Sequence, residues 1–71
     1  MNKEDILKYI GYRVYIVLSN GFEYKLLLKP EYVKNDTISF LDKYNNPVDF
    51  SIQTISFITI SKPEKGKNDR N

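Results

Sequence analysis

The chain predicts an all-β domain with an N-terminal helix, folded as a small, strongly bent five-stranded antiparallel barrel. Three observations carry this expectation. Apolar residues recur at every second position in several short runs, as half-buried strands require. A Ser19-Asn20-Gly21 hinge between two such runs has the chemistry of a tight hairpin turn. All of the apolar runs fall within about sixty residues, a spacing that suits a small curled sheet rather than a layered α/β domain.

The first element is a helix expected over Lys3 to Ile10. Asn2 can cap it, Glu4 and Asp5 lie near the positive end of its dipole, and Ile6, Leu7 and Ile10 supply an apolar side. Gly11 ends it, and its role is to cover an open end of the strands. In the run Arg13 to Leu18, Val14, Ile16 and Leu18 face one way and Arg13, Tyr15 and Val17 the other. After the hinge, Phe22, Tyr24, Leu26 and Leu28 continue the inward set. Val17 and Leu27 make the second face partly apolar, which suits a strand covered on both sides or touched by a neighbouring subunit.

Lys29-Pro30 ends the second strand, because proline has no N–H for the ladder. Glu31 to Asp36 reads as a loop or interruption, and Thr37 to Asp42 as the third strand, with Ile38 and Phe40 alternating against Thr37 and Ser39. Tyr44-Asn45-Asn46-Pro47 is a second turn. Val48 to Gln53 forms the fourth strand and Ile55 to Ile60 a β-branched fifth. The barrel domain is thus expected over residues 1–61. Residues 62–71 are polar, contain Pro63 and Gly66 and have no apolar anchor, so a disordered tail is expected there.

A chain of 71 residues buries only about 60% of the surface that its unfolded form exposes. Small folds compensate with disulfides, metals or oligomerisation, and with no Cys and no His the first device and the usual metal ligands are missing. No cofactor is expected. Oligomerisation is the support that fits. The last two strands point the same way: the fifth carries no Lys or Pro to blunt an edge, and the fourth has only Asp49 as a charge.

The formal charge is +2, and its excess lies in the tail, where Lys62, Lys65, Lys67 and Arg70 face only Glu64 and Asp69. Over residues 12–61 the five cations Arg13, Lys25, Lys29, Lys34 and Lys43 balance Glu23, Glu31, Asp36, Asp42 and Asp49. A broad basic face of the kind many nucleic-acid binders show is therefore not indicated, although a local patch is compatible. Enzymatic chemistry has little support, since no His or Cys nucleophile exists and Gly11, Gly21 and Gly66 form no phosphate-cradling loop. Neither a charged-then-apolar leader nor a span of about 18 apolar residues is seen, so a cytoplasmic location with no membrane contact is expected.

The order of helix, Val14-x-Ile16-x-Leu18-Ser19-Asn20-Gly21, a Leu28 seven residues on, Asn35-Asp36, Asp42 and an Ile55-x-x-Ile58 ending resembles the Sm-like superfamily, which includes Hfq. The likeness covers residues 4 to 61. It implies a ring of six or seven subunits, and the chain is accordingly expected to be a homo-oligomer of five to seven copies. Rings of this family join by fourth-to-fifth strand pairing and bind single-stranded RNA at the pore. Two departures stand out. Leu26 occupies the place of the family's second Gly, and Ser51-Ile52-Gln53 replaces its Arg-Gly or, in Hfq, Tyr-Lys-His. That segment lacks the family's charged and stacking partners for a base.

Candidate RNA-contacting residues follow from the resemblance and from what single strands require, flat side chains for bases and cations for phosphates. Tyr32 sits in the loop where the family carries a stacking residue, with Lys34 beside it; ordinary loop packing is its competing role. Asn35 or Asp36 can hold a base edge or shape the turn. Gln53, where Hfq has its His, can donate to a base or to a neighbouring subunit. Tyr9, Tyr12, Tyr15 and Tyr44 suit subunit contacts or the helix-barrel seam, and the tail's cations can meet phosphates or solvent. The expected function is an RNA-binding or RNA-associated ring. Its alternatives are a structural oligomer of viral or mobile-element origin that has lost the RNA pocket, and a monomeric peptide-binding barrel.

Overall fold

A computed structural model describes residues 1–61, so the expected tail lies outside the described residues. The described chain holds one short helix, α1 (Lys3–Leu7), and six strands: β1 (Arg13–Leu18), β2 (Glu23–Leu27), β3 (Val33–Lys34), β4 (Thr37–Leu41), β5 (Pro47–Ser51) and β6 (Ile55–Ile60). They form two antiparallel three-stranded sheets, ordered β2-β1-β6 and β3-β4-β5.

The expected five-stranded barrel is thus corrected to six strands in two sheets. The cause is local. Pro30 opens a single 3-10 turn over Pro30–Tyr32, closed by the Tyr32 N–H donating to the Lys29 carbonyl at 3.0 Å. Proline has no N–H to offer a ladder, so the extended chain breaks here and resumes as β3 in the other sheet.

Asn2 caps α1 as expected, its Oδ1 accepting the Asp5 N–H at 3.0 Å. The regular helix stops at Leu7, earlier than Ile10. Beyond it the chain winds in tighter turns, with Tyr9 donating to Ile6 and Tyr12 to Tyr9, before Gly11 turns away at φ +95°. The apolar side narrows accordingly. Ile6 is fully buried, whereas Leu7 is exposed.

In β1 the alternation holds: Val14, Ile16 and Leu18 are buried and their neighbours are not. At the hinge Leu18 and Phe22 close a three-residue loop, the Leu18 N–H donating to Phe22 at 2.8 Å and the Gly21 N–H to Leu18 at 2.9 Å. Only Gly21 takes positive φ, while Asn20 uses its side chain to accept the Phe22 N–H at 3.0 Å. Phe22, expected inside, is 61% exposed because it closes this loop ahead of β2, which starts at Glu23.

Leu26 and Leu28 from the second run meet Ile38, Phe50, Ile52, Ile55 and Ile58 beneath both sheets, and Ile6 joins the same core. The stretch after α1 is fastened to this core by Gly11 donating to Leu28 at 2.8 Å and Leu28 donating to Tyr12 at 3.0 Å. β6 pairs along β1 with one shift of register between Val17 and Leu18. Its outer edge, and that of β5, have no partner strand among the described residues.

Candidate nucleic-acid interface

The β3-β4-β5 sheet has two ends, and they differ in chemistry. At one end Lys34 pairs with Thr37 across a two-residue turn, Asn35-Asp36, in which Asn35 takes φ +53°. Asparagine tolerates that left-handed conformation better than most residues. Thr37 in turn pairs with Ser51, and beyond Ser51 the chain makes a second 3-10 turn over Ile52–Thr54.

These two turns are joined by backbone. The Ile52 N–H donates to the Asp36 carbonyl at 2.7 Å, and the Ser19 N–H donates to the Thr54 carbonyl at 2.8 Å, tying the second turn to the end of β1. Ser51 stiffens it further: its hydroxyl oxygen accepts the Gln53 N–H at 3.2 Å and its carbonyl accepts the Thr54 hydroxyl at 2.6 Å. Asn35, Asp36 and Gln53 are therefore brought to one end of the sheet with exposed side chains, and Lys34 is exposed beside them.

Tyr32 is not with them. Its half-buried ring lies against Phe40, at 5.8 Å between centroids, toward the far end of β4. Phe40 is part of an aromatic cluster in which Tyr24 stacks on Phe50 at 5.4 Å and meets Phe40 edge-on at 5.9 Å. The packing role of Tyr32 is the one its surroundings support.

That far end contains a feature the sequence did not reveal. After β4, Asp42 organises a turn by accepting the Tyr44 and Asn46 N–H groups on Oδ1 at 2.8 and 2.9 Å, and Asn45 takes φ +64°. The turn thus starts at Asp42, ahead of the Tyr44 start expected. It holds Tyr44 71% exposed at the rim of a groove of about 630 Å³ between β2 and the β4–β5 turn. Lys25, Lys29 and Lys43 line the same groove. Lys29 lies over Tyr32 at 5.9 Å from the ring centre and Lys43 over Tyr44 at 5.4 Å. The only hint in the sequence is the placing of Lys29 and Lys43 near tyrosines; that residues 25, 29 and 43 share one groove depends on the two sheets meeting.

No family model, curated protein or solved structure matches the chain. Among the described residues no helix is long and apolar enough to cross a membrane, and no group of three or more carboxylate side chains stands ready for a metal.

Proposed function

We propose that the protein is a subunit of an Sm-like homo-oligomeric ring that binds single-stranded RNA weakly, without enzymatic activity. One observation supports this above the others. β5 and β6, the fourth and fifth strands if β2 and β3 are counted as two arms of one broken strand, are open edges of the two sheets. Edges of this kind invite pairing with another copy. Fourth-to-fifth strand pairing between copies would cover both at once and would supply the burial a short chain lacks.

In this reading Asn35, Asp36 and Gln53 face RNA. Their turns are held rigid by backbone bonds, which leaves the side chains available for base edges. Lys34 is the nearby cation. The test is the mass in solution by light scattering, followed by titration of short oligonucleotides at two salt concentrations. Five to seven times 8.4 kDa, with binding that weakens as salt rises, is the expected result. A mass of 8.4 kDa in every buffer refutes the ring, and an assembled ring silent toward RNA at low salt refutes the binding.

A structural oligomer without RNA is the second reading, favoured by the packing of Tyr32 against Phe40 instead of beside Asn35. It requires that Asn35→Ala and Gln53→Ala change nothing but local structure. Loss of RNA affinity in a folded, assembled Gln53→Ala ring rejects it.

A further inference from the structure

We propose that the groove between β2 and the β4–β5 turn is a second site for single-stranded nucleic acid, with Tyr44 as the stacking platform and Lys25, Lys29 and Lys43 as the phosphate partners. It is separate from the Asn35–Gln53 turns and needs no ring. Thr37 and Leu41 bound β4, so the two sites stand at opposite ends of a five-residue strand, about 17 Å of extended chain.

Charge and its pairing support the assignment. The groove is lined by three lysines and two carboxylates, Glu23 and Asp42. Asp42 is committed to its own turn, where Oδ1 receives two backbone N–H groups. Glu23 lies near Tyr15, whose hydroxyl it holds above its ordinary pKa. None of the three lysines is in an ion pair, the one such pair among the described residues being Lys8–Asp5 elsewhere in the molecule, although each lies over a ring, Lys25 over Tyr15 at 5.7 Å from its centre. Three ammonium groups against two carboxylates, one of them turned to its own backbone, leave an excess of positive charge around one concavity and favour a polyanion.

Shape and apolar character specify which polyanion. Tyr44 is a flat ring presented to solvent by a turn that Asp42 and Asn45 hold in shape, and exposed Leu41 lies next to it. Tyr32 and Tyr24 form the wall behind, supported by Phe40. A base can stack on Tyr44, and Lys43, now over that ring, is free to turn to the adjoining phosphate. Lys29 can do the same from Tyr32. Flat rings between mobile cations match a strand of alternating bases and phosphates, and nothing in the groove reads a particular base, so recognition should tolerate any sequence.

The test is fluorescence anisotropy of 5′-labelled hexauridylate against the full-length chain across a salt series. Three phosphate contacts predict a slope of log affinity on log salt of about −2, and Lys29→Ala/Lys43→Ala should bring it to about −0.7. Tyr44→Leu should weaken binding about tenfold at every salt concentration, with Tyr44→Phe close to wild type. All three positions are exposed, and circular dichroism confirms folding of each variant. Asn35→Ala/Gln53→Ala should leave this component unchanged. The proposal is overturned if the double lysine variant keeps the wild-type affinity and slope, or if only the Asn35/Gln53 variant loses binding, which would leave the turn pair as the sole site.

Discussion

The two ends of the β3-β4-β5 sheet share their strands and their core yet present opposite surfaces. At the Asn35–Gln53 end, main-chain bonds from Ile52 to Asp36 and from Ser19 to Thr54 tie the turns into the fold, and the Ser51 hydroxyl adds one more by accepting the Gln53 N–H. At the Tyr44 end main-chain bonds between Asp42 and Asn45 and between Asp42 and Asn46 are joined by two to the Asp42 carboxylate, no bond reaches another turn, and lysines and aromatic rings surround the result. A turn tied to its neighbours by main-chain bonds can change exposed side chains such as Asn35 and Gln53 at little cost to its shape. One held by a carboxylate depends on that residue, because losing it leaves two donors without their partner.

The strongest way to break the contrast is to remove what the ends have in common. Ile38 is fully buried midway between them, opposite Val33 and Phe50. Ile38→Ala should cost about 3 kcal/mol in urea unfolding and weaken both ends together. Next in size, Asp42→Ala should cost about 1.5 kcal/mol through the two bonds to Tyr44 and Asn46. Amide exchange should then rise in residues 42–46 and stay unchanged at Ile52 to Thr54. The converse test is Gly21→Ala. Nothing lies within 4 Å of an added Cβ, so its cost, about 1 kcal/mol, comes from the positive φ alone. Since the neighbouring Ser19 anchors Thr54, exchange should rise at the Gln53 end and not at Tyr44.

The smallest effect concerns Tyr15 and its neighbour Glu23, which lines the groove. Hydrogen bonding to Glu23, then partial desolvation, then the nearby negative charge raise the Tyr15 hydroxyl above its ordinary pKa. Because the folded value is the higher one, the stabilising contribution is present below the unfolded value near 10 and is lost as pH rises through the folded value. Glu23→Gln should lower the phenol titration seen by ultraviolet absorbance. An unchanged titration would mean that Glu23 is not committed to Tyr15 and is free to oppose phosphate in the groove.

Much of the fold was legible because it rests on near neighbours. Val14, Ile16 and Leu18 alternate into the core, the Asn2 cap starts the helix, and β6 runs from Ile55 to Ile60 as its β-branched composition implies. Phe22 departs from the alternation because it closes the turn with Leu18, one residue before β2. The site was less legible. Asn35 and Asp36 could be recognised as turn residues, but their union with Gln53 needed the Ile52–Asp36 bond, and Tyr32 had two roles between which only the position of Phe40 could choose.

By itself, then, the sequence determined five of the six strands, the turn residues and the want of disulfides or imidazole ligands, since each follows from side-chain type and spacing along a few residues. The tertiary structure decided how Pro30 divides the second strand between two sheets, which edges lie open, and that Lys25, Lys29 and Lys43 converge beside Tyr44. The physical reason is range. Backbone preference and alternation act within a strand, whereas a groove is made by elements far apart in the chain whose meeting is fixed by the burial of a common core.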